Sequence, residues 1–112
     1  MSDPVVRFEI AGPDSAALAD FYRKLFGWSI SEGPFPTYQT IAPAAPNGIS
    51  GGIRQETFTE RVFYVKVEDL NASVQRAVEL GGRVVIPPTL VPGVVHFALI
   101  EDPAGNRTGL VQ

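Results

Sequence analysis

The chain has 112 residues, of which 45% are apolar and 19% are charged, as is usual for a soluble globular domain. Its net charge is −3 and its nine lysines and arginines are scattered, so neither nucleic acid nor an anionic membrane is an expected partner. The absence of cysteine excludes disulfides, thiolate metal sites and cysteine nucleophiles.

The sequence carries no sign of membrane insertion or secretion. No apolar run approaches the roughly 20 residues that a membrane-spanning helix needs. The N-terminal residues MSDPVVRF lack the basic start and apolar core of a secretory signal. We therefore expect an intracellular, cytoplasmic protein.

The first predicted elements are a strand and a helix. Residues 5–10 alternate apolar and polar side chains, which is typical of a half-buried strand. Asp14 is placed to cap a helix, and Gly27 is placed to end it near Phe26. The apolar stripe predicted for this helix consists of Leu18, Phe21, Tyr22 and Leu25. Three aromatic residues are predicted to lie in the core or at an interface: Phe21, Phe26 and Trp28.

Three short strands are predicted after this helix, at residues 28–30, 38–41 and 48–54. The last of them is rich in glycine, which often marks a close approach of another backbone or of a ligand. Residues 55–60 are polar and are interpreted as a bridge to the second half.

The second half repeats the order of the first. A shift of 55 residues places Phe8 on Phe63, Asp14 on Asp69 and Gly27 on Gly82. The pattern predicts strands at residues 62–67, 83–86, 94–100 and 107–111, a helix capped by Asp69 and stopped by Gly81-Gly82, a strand end at Pro87-Pro88 and a turn at Asp102-Pro103-Ala104-Gly105. Each half is therefore βαβββ. One such unit cannot bury both the apolar stripe of its helix and the face of its sheet, whereas two units sharing one sheet could.

The sequence resembles the vicinal oxygen chelate superfamily, which includes glyoxalase I, bleomycin resistance proteins and extradiol dioxygenases. Its most specific matches are Phe21-Tyr22 with Leu25-Phe26-Gly27-Trp28, and Asp102-Pro103-Ala104-Gly105-Asn106. In detail it is similar to the short glyoxalase-related proteins of bacteria. The resemblance implies one α+β domain over residues 1–112, with two βαβββ modules at about residues 4–54 and 60–112. It also implies a curved, cup-like mixed sheet with helices outside, and a homodimer.

The resemblance further implies where metal ligands would lie. The superfamily's metalloenzymes carry His, Glu or Gln on the first and last strands of each module. The corresponding residues here are Arg7, Gly52, Val62 and Gly109. Arginine stays protonated and repels a cation, and valine and glycine side chains offer no donor. We therefore expect no bound metal and no other cofactor.

Arg7 and Glu9 are the first candidates for a ligand site. They lie two residues apart on one face of the first strand, roughly 7 Å apart at Cα, so their side chains can meet. In one interpretation Arg7 anchors a carboxylate or phosphate, while Glu9 orients it or acts as a base. In the other, the two form a structural ion pair. Both interpretations remain open.

Three further residues are candidates on weaker grounds. Tyr64 has an apolar ring and a polar tip, and it shares a strand face with Lys66, which would lie at the rim. His96 is the only histidine, and histidine is the usual general base near neutral pH. Tyr38 lies on the comparable strand of the first half. Tyr64 is also a common sheet residue, and a lone histidine on a strand is more often structural or exposed than catalytic.

Three functions are compatible with these observations. The first is a metal-free protein of the glyoxalase, bleomycin resistance and dioxygenase type that binds a small organic molecule in its cup. The second is a lyase or isomerase related to lactoylglutathione lyase. The third is an interaction module whose cup is filled by its own side chains.

Overall fold

Two βαβββ runs follow each other along the chain. The computed structural model describes residues 2–112. The first run consists of β1 (Val5–Gly12), α1 (Ser15–Phe26), β2 (Ile30–Glu32), β3 (Gln39–Ile41) and β4 (Ser50–Gln55). The second run consists of β5 (Glu60–Lys66), α2 (Leu70–Glu79), β6 (Arg83–Val91), β7 (Val95–Glu101) and β8 (Arg107–Val111). The predicted α+β class and element order are confirmed.

The chain forms two compact units. One is Arg7–Val62, and the other is Phe63–Gln112 together with the N-terminal residues up to Val6. In the first unit the strand order is β2-β3-β4-β1, and in the second it is β5-β8-β7-β6. Each sheet is mixed: β1 pairs with β4, and β5 with β8, in parallel, while the other described pairings are antiparallel. The long connections that parallel pairs require contain the helices.

Both helices begin and end where the sequence predicts. The carboxylate of Asp14 accepts a hydrogen bond of 3.0 Å from the amide of Ala17, and Asp69 accepts one of 3.0 Å from Ala72. Each bond satisfies an amide that has no partner within its helix. Gly27 ends α1 with φ of 71°, a left-handed conformation that glycine adopts without steric cost.

A separate apolar core lies beside the helix of each unit. The chain alternates along β1 and β5, so every second side chain packs toward the helix. The core of the unit Arg7–Val62 contains Ala19, Ile30, Ile41 and Ile53, with Phe8, Leu18, Tyr22 and Trp28 packed against it. The core of the other unit contains Val67, Leu70, Val74, Ala98 and Leu110, with Val65 and Ile100 packed against it.

The predicted apolar stripe of α1 is buried only in part. Phe21, Leu25 and Phe26 are 56%, 58% and 56% exposed, so they do not lie in the core of this unit, and an interface role for Phe21 and Phe26 stays a prediction. The residues of α1 that face the sheet are Leu18, Ala19 and Tyr22, at the spacing of one helical face. Apolar side chains on α1 cover more than one face, so residue type alone does not identify the buried one. Trp28 does pack against the core, and its ring stacks on Tyr22 with centroids 5.3 Å apart.

The predicted strand end at Pro87-Pro88 is also wrong, because β6 continues through the prolines to Val91. Among residues 2–112, β6 pairs only with β7, so it is an edge strand that leaves one side of its backbone without ladder bonds. The register shifts between Ile86 and Thr89, around the two prolines. Edge strands and bulges are where proline is tolerated in a sheet.

Candidate functional site

Charged side chains gather on the face of β1 and β4 that points away from α1. Along β1, Arg7 and Glu9 alternate with Phe8 and Ile10, and Phe8 packs against the core beside the helix. The parallel register pairs Glu9 with Gly52 and Ala11 with Arg54. Because paired residues share a face of the sheet, Arg54 lies on the same side as Arg7 and Glu9.

Tyr38 joins this face from the residue immediately before β3. A guanidinium nitrogen of Arg7 donates a hydrogen bond to the Tyr38 hydroxyl oxygen. The same hydroxyl donates to Oε2 of Glu9 at 2.7 Å. Arg7 Nη2 lies 3.8 Å from that carboxylate oxygen, within ion-pair distance. The structure thus brings together three of the predicted candidates, Arg7, Glu9 and Tyr38.

The ring of Tyr38 lies over Gly52. A Cβ atom built on Gly52 would collide with the hydroxyl oxygen and Cζ of Tyr38, and it would lie 2.9 Å from Cε1. Carbon atoms in contact are normally about 3.5–4.0 Å apart. Glycine is therefore required at position 52 for Tyr38 to reach Glu9, which explains one of the two glycines of β4.

Arg54 is a charged member of the site that the sequence did not single out. Its Nη1 lies 3.9 Å from Oε1 of Glu9, and its Nε lies 3.8 Å from Oε1 of Glu56. Its Nη2 also pairs with Oε2 of Glu60, which lies only 12% exposed. The alternation in β4, which places position 54 on the face of position 52, is the signal that would have identified it.

Glu9 links the two arginines. Its two carboxylate oxygens have different partners, because Oε2 faces Tyr38 and Arg7 while Oε1 faces Arg54. Its side chain is 11% exposed, and a carboxylate so placed requires compensating charge or hydrogen bonds. The carboxylate is therefore held in one orientation by partners on both sides.

The Tyr38 hydroxyl is held in its protonated form. Burial is the main cause that raises the pKa of Tyr38 above its ordinary value, and the negative charge of Glu9 adds to it. The positive charge of Arg7 opposes these effects but does not cancel them. Tyr38 is therefore a hydrogen-bond donor to Glu9 and not a base at neutral pH.

The residues at the metal positions of the superfamily do not fit a metal ion. The side chain of Arg7 is engaged with Tyr38 and Glu9, and the ring of Tyr38 covers Gly52. Val62 is buried and has no donor atom. Within residues 2–112, no group of three or more His, Asp or Glu side chains is arranged to hold a metal ion. These residues supply no Lewis-acid chemistry.

In the second unit a tyrosine on the paired strand, Tyr64, fills the space beside the last-strand glycine. It pairs with Gly109 across β5 and β8, and its ring lies directly on that glycine. A Cβ atom built on Gly109 would collide with the ring and would lie 2.7 Å from its Cγ. The side chain of Tyr64 is 6% exposed, while Lys66, two residues on along the same face, is exposed. Both tyrosines thus occupy space that any larger residue at the glycine would need.

His96 lies on the face of its sheet that is opposite to the face of Tyr64. Along β7 it alternates in step with Ala98, which belongs to the core beside α2. Tyr64 and Gly109 lie on the opposite face, since their neighbours Val65 and Leu110 are the ones in contact with that core. The structure therefore does not bring His96 together with Tyr64, and a role for His96 stays a prediction.

The residues of the Asp102–Asn106 motif form a turn. The carboxylate of Asp102 accepts hydrogen bonds from the amides of Ala104 and Asn106 and from the Asn106 side chain, at 2.9–3.0 Å. The bonds from Asn106, chiefly that from its side chain, lower the pKa of the Asp102 carboxyl. The predicted turn is confirmed, and its polar groups are used within it.

The fold is that of the glyoxalase, bleomycin resistance and dioxygenase superfamily. The family model of the glyoxalase-like domain matches residues 7–111, so the chain belongs to that family. A superfamily member from Vibrio splendidus has the same fold, with a TM-score of 0.68 at 15% identity over 99% of both chains. Methylmalonyl-CoA epimerase from Streptomyces coelicolor gives 0.69 at 15% identity, over 96% of this chain and 94% of that one.

Two relatives are similar in sequence. A Mycobacterium tuberculosis protein named as a glyoxylase, CFP32, is 30% identical over 113 residues, which cover 88% of this chain and 41% of that protein. The anthracycline biosynthesis protein DnrV of Streptomyces peucetius is 29% identical over 117 residues, covering 88% and 42%. The chain thus spans about two-fifths of the length of these relatives. In residues 2–112, no helix is long and apolar enough to cross a membrane.

Proposed function

We propose that this protein binds a small organic molecule without a metal, on the face that carries Arg7, Glu9, Tyr38 and Arg54. The observation that supports it is the gathering of two arginines around a nearly buried glutamate on the sheet face opposite the core. Charges so placed cost desolvation free energy, and such clusters are common at binding sites. The donors and acceptors are held on strands, so little ordering is needed when a ligand binds.

The expected ligand chemistry follows from the charges. Arg7 is 31% exposed and presents planar N–H donors suited to a carboxylate or phosphate. Glu9 accepts hydrogen bonds, so a ligand donor such as a hydroxyl group suits it. The ligand is therefore a small polar molecule with an acidic group and a hydrogen-bond donor.

A ligand screen with matched variants tests this proposal. Hits from a thermal-shift library of small acids would be measured by calorimetry on the wild type, Arg7→Ala and Arg76→Ala. Arg76 is 66% exposed, and within residues 2–112 its ion pair is with Glu79 on the same helix, so its removal changes the net charge equally without touching the face. Binding should weaken at least tenfold in Arg7→Ala and less than twofold in Arg76→Ala. A ligand whose affinity is the same in all three proteins would contradict the proposal.

The metal-independent part is tested separately. After dialysis against a chelator, the protein should keep its ligand affinity and contain less than about 0.1 equivalent of Zn, Ni, Fe or Mn by elemental analysis. Stoichiometric metal retained after dialysis, or binding that returns only with added metal, would contradict it.

A lyase or isomerase is the second candidate, supported by the relative that is named as a glyoxylase. In that case Glu9 would act on the bound substrate, and Glu9→Gln should abolish turnover without unfolding the protein. An interaction module would show no ligand in the screen. The homodimer stays a prediction, which sedimentation velocity would test.

A further inference from the structure

We infer that the ligand of this face carries a hydroxyaryl group. This group displaces the side chain of Tyr38 from its place beside Arg7 and Glu9. This inference rests on the proposed function, because it names the ligand class for the same face. The Tyr38 hydroxyl both accepts from Arg7 and donates to Glu9. A phenol has one donor and acceptor lone pairs, so these two partners meet its hydrogen-bonding needs.

The surface under the ring is suited to an aromatic group. Gly52 has no side chain, and the hydroxyl end of the Tyr38 ring occupies the place where a Cβ atom would lie. Glycine in a strand often marks such a close approach. In the second unit, the ring of Tyr64, which is the ladder partner of Gly109, occupies the place of a Cβ atom at that glycine. A tyrosine side chain therefore fills the space beside the last-strand glycine in each unit, although the two tyrosines come from different elements.

Tyr38 is attached to the fold differently from the residues that contact its side chain. Arg7, Glu9 and Gly52 lie on β1 and β4, which pair over six consecutive residues. Tyr38 follows a turn between β2 and β3 and is half-buried. Its amide and carbonyl bond to Phe35 and Gly33, at 3.1 and 2.9 Å. A change of side-chain rotamer would therefore move the ring away while the turn and the strands stay in place.

The test uses 4-methylphenol, which has the structure of a tyrosine side chain, and toluene, which lacks the hydroxyl group. Affinities would be measured by NMR titration of the Gly52 amide in the wild type, Tyr38→Ala and Tyr38→Ala/Glu9→Gln. Tyr38→Ala should bind 4-methylphenol at least tenfold more tightly than the wild type and at least tenfold more tightly than it binds toluene. A hydrogen bond to a charged group is worth about 1.5–3 kcal/mol, which corresponds to tenfold or more. Adding Glu9→Gln should weaken the preference for the phenol, because a neutral acceptor replaces the carboxylate while the donor of Arg7 remains.

A cavity control separates this result from simple filling of empty space. Tyr22→Ala removes a ring of the same size that stacks on Phe26 and Trp28. This variant should show no preference of 4-methylphenol over toluene. If Tyr38→Ala does not fold, Tyr38→Phe decides, because it keeps the ring and removes the competing hydroxyl. It should bind 4-methylphenol at least tenfold more tightly than the wild type.

The inference and the proposed function fail in different ways. If folded Tyr38→Ala binds 4-methylphenol no better than toluene, or if its preference is unchanged by adding Glu9→Gln, the inference is overturned. The proposed function still stands if a ligand without a hydroxyaryl group binds in a manner that depends on Arg7. If 4-methylphenol binds as expected, the inference is supported, and the Arg7→Ala measurement decides the proposed function separately.

Discussion

Replacing Gly52 by alanine should expel Tyr38 from the face and destabilise the unit that contains it. The new methyl group would collide with the hydroxyl oxygen and Cζ of Tyr38. These atoms are the far end of a side chain, whereas the glycine belongs to a strand paired on both sides. The tyrosine side chain is therefore the part that moves, and its bonds to Arg7 and Glu9 are lost.

The size of the effect can be worked from these contacts. Each bond joins Tyr38 to a charged group and contributes about 1.5–3 kcal/mol, with the lower value appropriate because water can reach Arg7. Two such bonds give about 3 kcal/mol. Replacing glycine by alanine in a strand stabilises the protein by about 0.5–1 kcal/mol, because it lowers the conformational entropy of the unfolded chain, and this offsets part of the loss. The net loss should be about 2 kcal/mol, or about 8 °C in Tm for a domain of this size.

Urea unfolding followed by the fluorescence of Trp28, the only tryptophan, measures this loss. A double-mutant cycle with Tyr38→Ala isolates the cause. In the Tyr38→Ala background the ring is already gone, so Gly52→Ala should cost nothing further. An equal cost in both backgrounds would refute the reasoning, because the loss would then come from the strand backbone and not from Tyr38.

Three further predictions concern the cores, the caps and the hydroxyl. Leu70→Ala, at a fully buried position, should lower the free energy of unfolding by about 2–5 kcal/mol, whereas Leu80→Ala, at a position 62% exposed, should change it by less than about 1 kcal/mol in the same urea assay. Asp69→Ala should cost about 1 kcal/mol and Asp69→Asn much less, as read from urea midpoints, because asparagine keeps the capping acceptor. Burial and Glu9 raise the pKa of Tyr38 above its ordinary value of about 10, so the folded chain holds this proton more tightly than the unfolded chain. Its contribution to stability is present below pH 10 and is lost as the pH rises beyond it. Urea midpoints from pH 8 to 11 should fall above pH 10 in the wild type by more than in Tyr38→Phe; parallel curves would contradict this assignment.

Local patterns in the sequence predicted the elements well. Asp14 and Asp69 cap their helices, and Gly27 ends α1, because capping depends on a few neighbouring residues. The errors occurred where a distant partner decides the outcome. The prolines of β6 are tolerated because that strand is an edge, and edge position is a property of the sheet and not of the segment.

The site was predicted only in part, because some of its contacts also join residues that are distant along the chain. Arg7 and Glu9 are two residues apart on one strand, so their proximity follows from strand geometry. The contacts of Tyr38 and Arg54 with Glu9 join residues that are 29 and 45 positions apart. Such contacts depend on strand register. The alternation of side chains along a strand suggests a register, but only the pairing of the strands fixes it.

By itself, the sequence determined the repeat and the α+β class, because both follow from residue type and local spacing. It also showed that Arg7, Gly52, Val62 and Gly109, at the positions where the resemblance places metal ligands, lack suitable donors. Only the tertiary structure decided that the two last-strand glycines are covered by tyrosine rings, and that Arg54 shares Glu9 with Arg7. A glycine in a sequence shows only that space is available. Which side chain fills that space depends on the neighbouring strand and on the turn that leads into it.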